Sequence, residues 1–497
     1  MNTIRISLFC SAAVLLSVQM IGCGEDRQTG AGGAGGDGGA GTTTTTTTGD
    51  TVTSAATTAT SSTGAGGAST TSSSGTGGGE PGEIQLPACT SEANLTGDIK
   101  ASTALSADKC YNLKGIVYVK AGATLTIAKG TKIYGDKTTL GTLVIEPGAK
   151  IIAEGTAVNP IVFTSKAPKG QRAPGDWGGV ILLGKAPVNL VGGVGNIEGI
   201  PPTPDTTYGG TDVNDSSGKL RYVRLEFGGV QLSPNNEVNG LTFGGVGAKT
   251  EVEYIMVHDT LDDCFEFFGG TVNAKHLICS YNGDDGFDWD NGFKGKLQFL
   301  ALQQDPTNAA DDNGFEGDND AASSLNTPVS EPTIYNATLC GKNVDVAKQQ
   351  YGMLLRRSTK AHIFNTIATG FEAGIDLRDK ATSVEIKSSI FSGNLAQNIA
   401  YAEVFGQVSM PAALTDDDDN GIDEIAWFTS QGNTVEDPKI KGCFNKAGAD
   451  FTPMATVTAN AATPPDDGFF DATAKYVGAF EAGDTWATGN WVDFSHN

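Results

Sequence analysis

The chain has 497 residues and a formal net charge of −24, from 57 Asp and Glu against 33 Lys and Arg. That balance excludes nucleic acid and polybasic membrane contact, because phosphates demand a basic footprint. It favours divalent cations and neutral or cationic partners. The length suggests two or three domains, unless the chain is an all-β solenoid, which runs longer as one body.

Residues 1–22 read as a signal peptide. Arg5 supplies a short positive start, and the apolar run Ile6–Ile21 is too short to span a bilayer. The run ends Met20-Ile21-Gly22-Cys23. This resembles the lipobox of bacterial lipoproteins, with Met20 where leucine is usual. The resemblance implies lipidation at Cys23, so contact with the membrane is expected through the lipid anchor only. Gly24, standing where an aspartate would retain the protein, points to the outer membrane by the sorting rule of enteric bacteria. Residues 23–85 are nearly all Gly, Thr, Ser and Ala. Such a segment buries too little apolar surface to offset its ordering entropy, so it is expected to be a flexible linker.

Residues 86–497 change texture. Short β-branched runs such as Gly115-Ile-Val-Tyr-Val, Gly141-Thr-Leu-Val-Ile and Pro160-Ile-Val-Phe-Thr alternate with Gly and Asn turns. Two acidic phrases echo each other, Leu261-Asp-Asp-Cys-Phe-Glu266 and Gly283-Asp-Asp-Gly-Phe-Asp288, and a third begins at Ala310-Asp-Asp. Asp262 and Asp284 lie 22 positions apart and Asp311 follows 27 later. A period in the twenties is typical of one coil of a single-stranded parallel β-helix, an all-β solenoid, with a few inserted residues in the longer step. The aromatic tail Phe469–Trp491 is expected to complete or cap the last coil. Without a cap, the open end of a solenoid exposes its core. A monomer is expected.

Stacked coils set the acidic phrases in a column of Asp262, Asp263, Glu266, Asp284, Asp285, Asp288, Asp290, Asp311, Asp312, Glu316 and Asp318. Like charges stacked this closely repel. Either Ca²⁺, which takes six to eight hard oxygens in irregular geometry, sits among Asp262, Asp263, Asp284, Asp285 and Asp288, or the residues serve turns and face solvent. A second run, Asp416-Asp-Asp-Asp-Asn-Gly421, offers Asp416, Asp418 and Asn420 as the start of a calcium loop. Its closing carboxylate position holds Trp427, so an acidic loop without an ion is the alternative. The four histidines lack HExxH or paired spacing, which argues against zinc. His276 reads as structural, and His258 as a residue at a cleft edge. Trp177, in the turn Asp176-Trp-Gly-Gly, either packs on a rung or stands exposed as a sugar platform. Cys89 and Cys110 are expected to form a clasp; Cys264, Cys279, Cys340 and Cys443 are either disulfides or buried thiols.

The phrases Gly175-Asp-Trp-Gly-Gly, Arg221-Tyr-Val-Arg-Leu-Glu-Phe-Gly-Gly, Phe268-Gly-Gly-Thr-Val-Asn-Ala-Lys and Tyr476-Val-Gly-Ala-Phe resemble those of exported bacterial right-handed β-helix proteins, many of them lipoproteins. Locally, Asn282-Gly-Asp-Asp-Gly-Phe-Asp288 resembles the calcium motif of a pectate-lyase family. That resemblance implies Ca²⁺ on Asp284, Asp285 and Asp288, with Asp262 or Asp263 from the preceding coil. It also implies a basic residue one or two coils later as the base of β-elimination. No Lys or Arg lies between Lys296 and Lys342, so Lys342, Lys348, Arg356, Arg357 and Lys360 are the nearest candidates. The expected function is therefore a calcium-binding envelope lipoprotein with a structural or glycan-binding role. The alternative is a calcium-dependent lyase acting on acidic polysaccharide.

Overall fold

The structure, a computed structural model, describes residues 89–495 apart from 234–235, 309–311, 345–349, 372, 380–381, 393–426, 429 and 447. Cys23, the linker, Asp311, Lys348 and the run carrying Asp416, Asp418 and Asn420 lie outside the described residues. Among the described residues no helix is long and apolar enough to cross a membrane.

The alternation of Leu, Ile, Val and Phe with small polar residues builds a right-handed parallel β-helix in which 23 strands join one sheet. One column stacks Gly218–Glu226, Glu251–His258, Asn273–Ser280, Lys296–Gln303, Thr333–Cys340 and His362–Thr369. In register, Leu220, Val252, Ala274, Leu297, Ile334 and Ile363 lie one above another, and all are buried in the principal core. The second column stacks Gly179–Leu183, Leu241–Gly244, Phe265–Phe268, Phe287–Asp290, Phe315–Gly317 and Met353–Leu355. Its inward row is Phe243, Phe267, Trp289, Gly317 and Leu355. Gly317 is required by its neighbour, since a Cβ there would lie 2.2 Å from the Trp289 ring.

The register corrects one detail of the repeat. Phe265 pairs with Phe287 and Phe287 with Phe315, so Asp312, and not Asp311, stands over Asp284. Counting Asp-Asp pairs by eye misses the one inserted residue; pairing of the strands fixes it.

Between the two halves of each first-column strand, one residue per coil takes positive φ: Tyr222, Tyr254, His276, Phe299, Asn336 and Asn365. A non-glycine residue there costs about 1–2 kcal/mol. Outward stacking offsets it. Ring centroids are 4.4 Å apart for Tyr222 and Tyr254, 4.2 Å for Tyr254 and His276, and 4.8 Å for His276 and Phe299. His276 is thus a structural rung, and burial lowers its pKa despite the nearby Glu253.

The aromatic tail, expected over the open end, lies instead along the side of the solenoid. Trp491 packs edge-on against Tyr222 and Tyr254, at 5.9 and 5.6 Å. Asn336 Nδ2 donates to the Tyr476 carbonyl at 2.7 Å, and Arg224 Nη1 donates to the Asn490 carbonyl at 2.9 Å. The reason is the ladder itself, an outward apolar stripe that needs covering as an open end does. Three disulfides form. Cys89–Cys110 clasps the first rungs as expected, Cys264–Cys279 lies within one coil, and Cys340–Cys443 ties the tail segment to the coils. Trp491 is fully buried, so Trp491→Ala is expected to destabilise the fold by about 3–5 kcal/mol, read as a lowered denaturant midpoint. An unchanged midpoint would show that the tail is not part of the cooperative unit.

Candidate functional site

Side chains of the second column that point away from the core form the acidic face. Thr242, Glu266, Asp288 and Glu316 are in register on it, and Asp290 and Asp318 follow two residues on. The preceding turns contribute Asp262, Asp263, Asp284 and Asp285. These turns are held by a staircase in which side chain supports the next backbone. The amide of Asp285 donates to Asp263 Oδ1 at 2.7 Å, and that of Asn313 to Asp285 Oδ1 at 2.6 Å. The amide of Tyr351 donates to Asn313 Oδ1 at 3.2 Å. One oxygen each of Asp263 and Asp285 is therefore structural.

Carboxylate oxygens of these residues converge. Asp262, Asp263 and Asp284 form one triad, Asp263, Glu266 and Asp288 a second, and Asp285, Asp288 and Glu316 a third. Within each triad the ligand oxygens lie within 4.8 Å of one another. All but Asp284 are buried. The structure thus brings together all five of the residues singled out between Asp262 and Asp288. Sharing of Asp263 and Asp288 makes the triads one continuous column over three coils. Asp288 Oδ1 and Thr242 Oγ1 are buried and have no hydrogen-bond partner among the described residues, an arrangement that costs free energy unless something fills it.

The electrostatics agree. Burial raises the pKa of Asp262, Asp263, Glu266, Asp285 and Asp288 well above the carboxylate range, and the neighbouring carboxylates add to it. Two contributors escape the sequence reading, Glu198 and Glu237. They come from two excursions that flank the strand Gly218–Glu226, Glu198 before it and Glu237 after it, and their charges reach Asp262. Burial, with Glu237 and Asp290 adding, pushes Glu198 up to about 8. The first excursion is seated by an apolar patch of Val188, Ile197, Tyr208 and Phe268, which Val230 and Val238 of the second join, and Asn239 Nδ2 donates to Glu266. No periodic signal marks Glu198 or Glu237, because both excursions lie outside the coil repeat.

Lys342, Arg356 and Arg357 close the column rather than stand open in it. Lys342 is buried, 2.7 Å from Asp312 Oδ1, and donates to the Asn308 carbonyl. Asp312, expected in the column, is neutralised there. Arg356 is buried against Glu316 and, at 3.1 Å, Asp318; Arg357 reaches Asp318 at 2.8 Å. Arg356 also faces Asp288, whose carboxylate it stabilises. Lys360 is partly buried, its amide on the Ser330 carbonyl. Arg378 stacks over Arg356 in the next coil and pairs with Asp376 at 2.9 Å.

Two other expectations are corrected or decided. His258 does not edge a cleft; it is 1% exposed, between Phe227 and Tyr281. Trp177 is no sugar platform. It is fully buried, stacked near Phe163, and its Nε1 donates to the Glu226 carbonyl at 2.8 Å.

An all-oxygen donor set without histidine or cysteine suits a hard cation such as Ca²⁺ and not zinc. Fold and face together place the chain in the class of parallel β-helix proteins. The chain belongs to the family described as the pectate-lyase like beta helix domain, which it matches over residues 97–440. Membership supports a polysaccharide-related role. Comparison with curated proteins and with solved structures gave no match.

Proposed function

We propose that this protein is a calcium-binding β-helix that holds acidic polysaccharide at the cell envelope, tethered through lipidated Cys23 and the linker of residues 23–85. One observation carries the reading: three carboxylate triads fused through Asp263 and Asp288, directly followed by the arginines Arg356, Arg357 and Arg378. Ca²⁺ held by Asp262, Asp263, Asp284, Asp285 and Asp288, with Glu266 and Glu316, would bind the carboxylate of a uronate unit. Arg357 and Arg378, which are only partly buried, would offer planar donors to a neighbouring carboxylate.

The alternative is a lyase acting by β-elimination, favoured by the position of Arg356 beside Asp288. A general base must first lose its proton, however, and the two carboxylates paired with Arg356 oppose that. Binding is therefore the stronger reading.

Calorimetric titration with calcium tests the site. Wild type is expected to bind, and Asp263→Asn and Asp288→Asn to weaken binding at least about tenfold each, since a charged ligand is lost from a shared position. Equal affinity in all three proteins would remove the acidic column as the site. Incubation with polygalacturonate and calcium separates binder from lyase: unsaturated products absorbing in the ultraviolet would establish the enzyme, and calcium-dependent retention without them the binder.

A further inference from the structure

A concavity lies outside the acidic column, on the same outward face but nearer the start of the solenoid. It encloses about 510 Å³ and is lined on the coil side by Ala121, Glu146 and Pro147, and on the excursion side by Pro204, Asp205 and Asp212, with Lys185 between them. Its volume falls in the range of ordinary small-ligand sites, ~300–1,000 Å³.

The walls are tied to each other. Lys120 Nζ lies 2.5 Å from Glu146 Oε1 and 2.8 Å from Asp205 Oδ2, so one ammonium bridges coil and excursion. Glu146 is 2% exposed, and burial raises its pKa although Lys120 is beside it. Thr203 and Thr206 cap the single turn Pro204–Thr206 reciprocally and fix the backbone that carries Asp205. Lys185 lies across Gly148, its Nζ 3.0 Å from the place a Cβ would take.

The lining selects a ligand. An anion is disfavoured, because Glu146, Asp205 and Asp212 outnumber the two lysines and Lys120 is already neutralised. A cation is disfavoured by Lys185 at the wall. No aromatic residue lines the space, so a flat apolar ligand gains little. What remains is a group that donates and accepts at adjacent atoms. A sugar hydroxyl does both, giving its proton to a carboxylate while accepting from an ammonium or a threonine hydroxyl. The rings of Pro147 and Pro204 can take the C–H face of a pyranose.

We infer that this concavity is a subsite for a neutral pyranose unit, independent of any metal. The inference rests on the polysaccharide reading and not on the calcium column. Register links the two places: Ile145 pairs with Leu182, and the row continues through Phe243 and Phe267 to Trp289. Glu146 therefore shares an outward row with Asp290, four rungs away, or ~19 Å at ~4.8 Å per rung.

The test is calorimetric titration of the whole protein, in chelator and in calcium, with hexasaccharides of β-1,4-glucose, β-1,4-xylose and β-1,4-mannose. At least one is expected to bind equally in both buffers. Asp205→Ala and Lys185→Ala, both at exposed positions, are expected to weaken it about tenfold, and Asp288→Asn to leave it unchanged. Circular dichroism confirms folding, and Asp212→Asn serves as a second variant should Asp205→Ala disturb the capped turn. Failure of all three sugars to bind at millimolar concentration overturns the inference, as does binding that survives all of these lining variants. Binding abolished by chelator or by Asp288→Asn also overturns it, by assigning the sugar to the acidic column. Loss of calcium-dependent polygalacturonate retention alone would sink the proposed function and leave this subsite standing.

Discussion

Calcium is expected to raise the melting temperature strongly at pH 8 and hardly at all at pH 5. In the metal-free fold, Asp262, Asp263, Glu266, Asp285 and Asp288 titrate well above the carboxylate range because they are buried among like charges. Unfolded, they return to about 4. The folded chain therefore binds more protons than the unfolded chain over that interval. Stability then falls as pH rises from about 4 through the folded values. Glu198, at about 8, extends the interval to that pH. A divalent cation replaces the protons and restores what rising pH removes. At a hundredfold excess over Kd the gain is about 2.7 kcal/mol per ion, several degrees in a domain of this size. At pH 5 protons already occupy the column and compete with the metal. The measurement is a set of melts in chelator and in calcium at both pH values. An equal calcium effect at pH 5 and pH 8, or a metal-free fold that gains stability as pH rises from 5 to 8, would be incompatible with an ion in this column.

The second large effect concerns the basic end of the same face. Arg356→Met should destabilise the protein by about 3–5 kcal/mol, the usual cost of removing one partner from a buried ion pair. Its guanidinium meets Glu316 and Asp318, both nearly fully buried. Burial already pushes Asp318 up, and Arg356 is the charge that opposes the push most. Without it, two carboxylates remain in a site with one fewer cation. The loss is expected to shrink at pH 5, where Asp318, already pushed up by burial, can protonate, and to be partly reversed in Arg356→Met with Glu316→Gln. Denaturant titrations of the single and double variants supply the coupling energy. Additive losses would mean that Arg356 and Glu316 are independent, contrary to the geometry. Because Arg356→Met also removes the best-placed basic group, any lyase activity should vanish in it, whereas calcium affinity measured on the folded variant should persist.

Much of the fold was legible because a solenoid writes its period into its residues. Phe265, Phe287 and Phe315 recur with the coil and stack, and the Asp residues that precede them share the period, so their column could be read off before any coordinates. Cys89–Cys110 was legible for a related reason: closeness in sequence at the start of the first rungs. Periodicity is a local property of stacked coils, and sequence order preserves it.

Features that depend on what packs over the coils were not legible. Whether Asp312 coordinates or is neutralised depends on Lys342, which lies a coil later and across a long turn. Glu198 and Glu237 join the column from two excursions that obey no period. Trp177 looked equally able to face sugar or core until the strand Gly179–Leu183 was placed and its ring fell inside. The tail could have covered an end or a side, and the outward ladder of Tyr222, Tyr254 and His276 decided for the side. The sequence by itself determined the coil, its core and the row of acids along it. Only the tertiary structure decided which of those acids are paired, crowded or covered, because burial and charge compensation arise between segments that the chain order keeps far apart.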